Sequence, residues 1–83
     1  MEKITVTIEL GIYKQPRYSV KIEDEGRKTG GFSSDDAHFL KFYFQRHLEN
    51  IESVEFFANC VDVPSEMLES VKKMKEILGD KAA

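Results

Sequence analysis

Residues 33–50 read SSDDAHFLKFYFQRHLEN, and the fold turns on how this stretch is read. Ser33 is a suitable N-cap, because its hydroxyl can accept a bond from an unpaired backbone N–H of a first helical turn. Asp36 loosely imitates a capping box, and Asp35 and Asp36 both sit where a helix dipole favours negative charge. Asn50 is a suitable stop, since Asn tolerates the left-handed conformation. At about 100° per residue, Ala37, Leu40, Phe44, Leu48 and Ile51 fall on one stripe, widened on one side by Phe39, Tyr43 and His47. The spacing therefore predicts an amphipathic helix.

Phe42 breaks that pattern. It projects about 160° from the centre of the stripe, between Glu49 and Arg46, where a solvated helix has no use for an aromatic ring. Aromatic residues and Arg are the types enriched at interface centres. Phe39, Phe42, Tyr43 and Arg46 are therefore the candidate partner-binding residues. The competing reading is a ring covered by loops, or one exposed Phe without consequence.

Before this helix, Ile4, Val6, Ile8, Leu10 and Ile12 alternate with Lys3, Thr5, Thr7, Glu9 and Gly11, a strand with one buried face. YKQPR, residues 13–17, predicts a turn centred on Pro16. A second strand follows, with Tyr18, Val20 and Ile22 inward, completing a hairpin. In DEGRKTGG, residues 24–31, Gly26 suits a tight turn. Residues 27–32 then form either a short edge strand, weakened by Gly30 and Gly31, or a loop.

After the helix, residues 53–63 read as another strand. Val54, Phe56, Ala58 and Cys60 share one face, and Phe57, Val61 and Val63 the other, so a bulge or a partner must account for the second apolar side. Pro64 and Ser65 open a last helix, with Ser65 as N-cap. Its apolar stripe is Met67, Leu68, Val71, Met74 and Leu78, and Gly79 marks its end.

Eighty-three residues, 41% apolar and 33% charged, describe one globular domain. It spans residues 1–79, with 80–83 expected as a frayed tail. A chain this short is marginally stable alone. No apolar run is long enough for a membrane span, and the alternating N-terminus lacks the continuous core of a signal peptide. The single cysteine, Cys60, favours a reducing compartment, so a cytoplasmic setting is expected. The net charge of −3 is uneven. Residues 1–31 carry six basic and five acidic groups, residues 32–66 two and seven, and residues 67–83 four and three. Most non-specific nucleic-acid binders are more basic.

No constellation for catalysis emerges. GRKTGG lacks the spacing of a phosphate loop, and Asp35 and Asp36 would repel a phosphate. His38 and His47 project from opposite sides of one helix and cannot share a metal. Cys60 has the parity of the core face, where a free thiol behaves as a small hydrophobe. The expectation is no enzyme, no metal and no cofactor.

The fold expected is α+β in the order β-β-(β)-α-β-α, a small, mainly antiparallel sheet of three or four strands with both helices on one face. If residues 27–32 are a strand, the last strand lies parallel to the first; if a loop, antiparallel. The function expected is that of a non-enzymatic protein-binding module, an adaptor, regulatory subunit or inhibitor of a larger protein. The alternative is a nucleic-acid-binding module in which Lys14, Arg17, Lys21, Arg27 and Lys28 cluster toward one end of the sheet and meet phosphates. A homodimer is also expected, because Phe42 and the second apolar face at Phe57, Val61 and Val63 both need cover.

Overall fold

The computed structural model describes residues 1–60 and 62–82; Val61, assigned above to an apolar strand face, lies outside them, as does Ala83. The chain runs β1 (Glu2–Leu10), β2 (Pro16–Asp24), β3 (Arg27–Ser34), α1 (Ala37–His47), a 3-10 turn (Leu48–Asn50), β4 (Ile51–Ala58), α2 (Ser65–Leu78) and a second 3-10 turn (Gly79–Lys81). The sheet order is β3-β2-β1-β4. The first three strands are antiparallel and β4 is parallel to β1. Residues 27–32 are thus a strand rather than a loop, and the last strand takes the parallel direction that this implies. The fold is α+β, as the sequence pattern indicates.

Ile4, Val6 and Ile8 of β1 and Tyr18, Val20 and Ile22 of β2 are all buried on one face. Leu40 and Phe44 of α1 and Met74 and Leu78 of α2 join the same core, so both helices cover that face. The alternation in β1 outruns its burial. The strand stops at Leu10, where Gly11 N–H donates to the Gln15 carbonyl at 2.8 Å and Lys14 turns left-handed, with φ of 59°. Pro16 pairs with Leu10 as the first residue of β2, not the centre of the turn. Leu10 is left half-exposed and Ile12 is 93% exposed, so neither belongs to the core.

Glu25 and Gly26, with φ of 52° and 80°, make the two-residue turn that joins β2 to β3; positive φ at both positions matches the right-handed twist of the strands. A register shift lies between Gly30 and Lys28, with Thr29 as the extra residue. Gly31 is required by space: a Cβ there would stand 2.9 Å from the Val20 carbonyl oxygen.

The helix begins later than its sequence suggests. Ser33 and Ser34 belong to β3, and the cap is Asp36, whose carboxylate accepts from the His38 N–H at 2.9 Å. Ser34 Oγ in turn accepts from the Asp36 N–H at 3.0 Å. At the other end Asn50 closes a 3-10 turn without turning left-handed. Ile51, placed on the helical stripe by periodicity, instead begins β4 and is fully buried.

In β4 the bulge comes at the start, where Glu52 is skipped between the pairs Glu2–Ile51 and Lys3–Ser53. That change of phase brings both Ile51 and Val54 inward. The strand ends at Ala58, five residues short of the expected limit. Val63 lies partly buried against the core rather than on a second apolar face. Phe56, Leu48 and Val71 pack at the core margin. In α2 the cap position is Pro64 and Ser65 is already helical; Leu68 points to solvent instead of joining the stripe. Gly79, with φ of 59°, ends the helix and donates its N–H to the Lys75 carbonyl. Residues 80–82, expected as a tail, contact the body of the domain. The second 3-10 turn brings Lys81 Nζ to the Leu48 carbonyl, and Ala82 bridges to Val54 in parallel sense.

Candidate functional site

The four helical residues singled out above occupy one flank of α1. Starting from the buried Leu40 and turning away from it, the order is Tyr43, Phe39, Arg46 and Phe42, at about 100° per residue. Tyr43 is half-buried, whereas Phe39 is 49% and Phe42 57% exposed. Among the described residues no loop closes over Phe42; its neighbour is the Arg46 guanidinium, 6.0 Å from the ring centroid, within the range of a cation–π contact.

Phe32 of β3 completes this group, and the sequence reading did not include it. Its ring meets Phe39 edge-on at 5.4 Å and Tyr43 at 5.7 Å between centroids. Tyr43 also stacks on His47 at 4.4 Å. The signal was present: Phe32 stands two residues after Gly30 and shares its inward parity, pairing with Val20. The Tyr43 hydroxyl lies 3.5 Å from Glu2 Oε1. Burial raises its pKa above the usual phenol value, and the Glu2 charge adds to the rise. A cluster of aromatic rings, Phe32, Phe39, Tyr43 and His47, therefore joins the edge strand to the flank of α1, and Phe42 stands further round the helix with Arg46 over its ring.

The basic residues are not gathered. Lys14 and Arg17 stand at the β1–β2 turn, whereas Arg27 and Lys28 stand beside the β2–β3 turn at the opposite end of the sheet. Arg17 and Asp24 stand seven residue steps apart along β2, roughly 23 Å of strand. Lys21, between them, pairs with Glu23 at 2.7 Å and holds that carboxyl below its usual pKa. Arg17 lays its aliphatic stem over Gly11, where a Cβ would stand 3.0 Å from Arg17 Cδ. The five residues therefore do not share one end of the sheet, because the two hairpin turns that carry the charges lie at opposite strand ends.

The outer sheet face, free of helices, carries Lys3, Thr5, Thr7, Ser19, Lys21 and Glu23, with Phe57 half-exposed beside Thr7. The hairpin tip presents Ile12 and Tyr13 to solvent; the strand alternation had hidden this, although Gly11 was the stop signal. Cys60 is a free thiol, half-buried, 3.8 Å from the Ile8 carbonyl. Among the described residues no three His, Cys, Asp or Glu side chains gather as metal ligands, and no helix is long and apolar enough to cross a membrane. Neither protein-family models nor curated proteins match this sequence.

Proposed function

We propose that this chain is a protein-binding module, an adaptor, regulatory subunit or inhibitor, whose contact surface is the flank of α1 carrying Phe39, Phe42 and Arg46. One observation carries the reading. Phe42 is 57% exposed on a helix whose other side supplies the core, with the Arg46 guanidinium over its ring and the half-exposed Phe39, packed on Phe32, on the same flank. Large apolar rings rimmed by Arg are what a desolvated interface centre uses. Removing the exposed part of Phe39 and Phe42 from water would each contribute roughly 2 kcal/mol at 25 cal/mol per Å². A cytoplasmic setting fits the single free thiol.

The test is affinity capture from the source cell with the wild-type chain and with Phe42→Glu. A protein retained by the first and lost by the second supports the reading. Retention by both, or tight and salt-sensitive retention of an oligonucleotide, would move the contact to another surface.

A further inference from the structure

We infer that the occupant of this surface is a second copy of the chain, joined edge to edge through β3 in an antiparallel register centred on Gly31, with the two α1 flanks meeting above the seam. The inference rests on the α1 flank being a contact surface and adds the partner and the geometry.

The two edges of the sheet are unequal. Ala82 bridges to the outer side of β4, whereas no described backbone group pairs with the outer side of β3. An open edge of eight residues presents a row of unpaired donors and acceptors, and strand addition satisfies them. The half of β3 toward α1, GGFSS over residues 30–34, has none of the charges or prolines that blunt such edges.

Side-chain parity limits the register. Antiparallel neighbours must point to the same face, so Gly30 and Phe32, both inward, can pair with each other but not with Gly31. A two-fold axis through Gly31 sets Phe32 of each copy opposite Gly30 of the other. A Cβ at Gly30 would meet nothing within 4 Å, so the inner face above it is vacant, and the half-buried ring of Phe32 is what would lie over it. Over residues 30–32, on the near side of the bulge at Thr29, this register brings no like charges opposite each other.

The helix flank belongs to the same strip. Phe39 packs edge-on against Phe32, so pairing through β3 brings the flanks of two α1 helices together over the seam, where Phe39, Arg46 and Phe42 meet their mates. A stable two-fold contact needs roughly 800 Å² from each partner. That is about one-seventh of the 5715 Å² surface of this chain. The strand edge alone runs about 26 Å, along a molecule whose longest extent is 33 Å.

The experiment is light scattering of the purified chain from 1 to 100 micromolar, for the wild type, Gly30→Lys and Phe42→Glu, with amide exchange on the wild type at both ends of the range. A Cβ at residue 30 meets nothing within 4 Å in the single chain, and Gly30→Lys sets its side chain against the second copy's Phe32. The expected result is a wild-type dimer that dissociates on dilution, at least tenfold weaker association in both variants, and amides of residues 30–34 that lose protection on dilution. A wild-type monomer throughout overturns the dimer, while capture of another protein through Phe42 would still stand. A dimer split by Phe42→Glu but indifferent to Gly30→Lys, or residues 30–34 unprotected in the dimer, overturns the strand pairing alone.

Discussion

The ring of Phe39 stands edge-on to the ring of Phe32, 5.4 Å between centroids with 89° between their planes. That contact, together with Tyr43 against the same Phe32 ring, joins the first helix to the edge strand. It turns two features, each unremarked alone, into one continuous surface. Such an arrangement is favourable beyond simple burial by about 0.5–1.5 kcal/mol, so the flank of α1 is held in place even where it faces solvent.

Leu40 and Phe42 share α1 and differ in everything else. Leu40 is fully buried, so Leu40→Ala is expected to cost about 2–5 kcal/mol in denaturant melts. Phe42→Glu changes an exposed position and should stay within about 0.5 kcal/mol. A loss under 1 kcal/mol for Leu40→Ala, or a large one for Phe42→Glu, would mean that the faces of α1 are misassigned.

The cap tests where α1 begins. Asp36→Ala should cost about 0.5–2 kcal/mol, because the His38 N–H loses its acceptor. Ser33→Ala should be near neutral, since Ser33 is an exposed strand residue. The reverse order of costs would restore Ser33 as the cap.

The paired glycines of β3 should respond in opposite directions. Gly31→Ala forces a Cβ to within 2.9 Å of a backbone oxygen and should destabilise by about 1–3 kcal/mol. Gly30→Ala meets nothing and should stabilise by about 0.4–1 kcal/mol, through fewer unfolded conformations. Equal effects on the thermal midpoint would contradict the register of β3.

Tyr18 sets an alkaline limit. It is fully buried, and burial raises its pKa above the ordinary phenol value. The neutral phenol is therefore favoured in the folded chain. Its contribution is fully present below about pH 10, the unfolded value, and is lost as pH rises through the folded value. Denaturant midpoints at pH 9 and pH 11 should fall more steeply for the wild type than for Tyr18→Phe. Parallel losses would mean that the phenol is free to ionise in the folded state.

Much of the fold was legible because period and parity are local properties. The alternation from Ile4 to Ile8, the inward set of Tyr18, Val20 and Ile22, and the stripe of Leu40 and Phe44 all hold. Positions where local rules run on past a tertiary event were misread. The alternation continued through Leu10 to Ile12 after the turn had begun, and helical spacing reached Ile51 after the chain had entered β4. The bulge at Glu52 was not legible, since the conflict of phase read in the sequence lay at Phe57, Val61 and Val63, toward the other end of the stretch. Of the contact surface, Phe42 announced itself by standing out of phase on a helix. Phe32 did not, because its role depends on which helix crosses the edge strand, and that is set by the sheet order. The separation of the basic residues likewise follows from the hairpin, not from their spacing in the chain.

Photo-crosslinking in the source cell tests the central claim most directly. A benzophenone amino acid would be placed singly at residue 42 and, for comparison, at residue 57, where Phe57 is 50% exposed on the outer sheet face. The two rings are almost equally accessible, so exposure by itself predicts similar yields. If the flank of α1 is the contact surface, a discrete adduct, to another copy or to another protein, forms from position 42 and not from position 57. An adduct from position 57 alone would contradict the account and place the contact on the open face of the sheet.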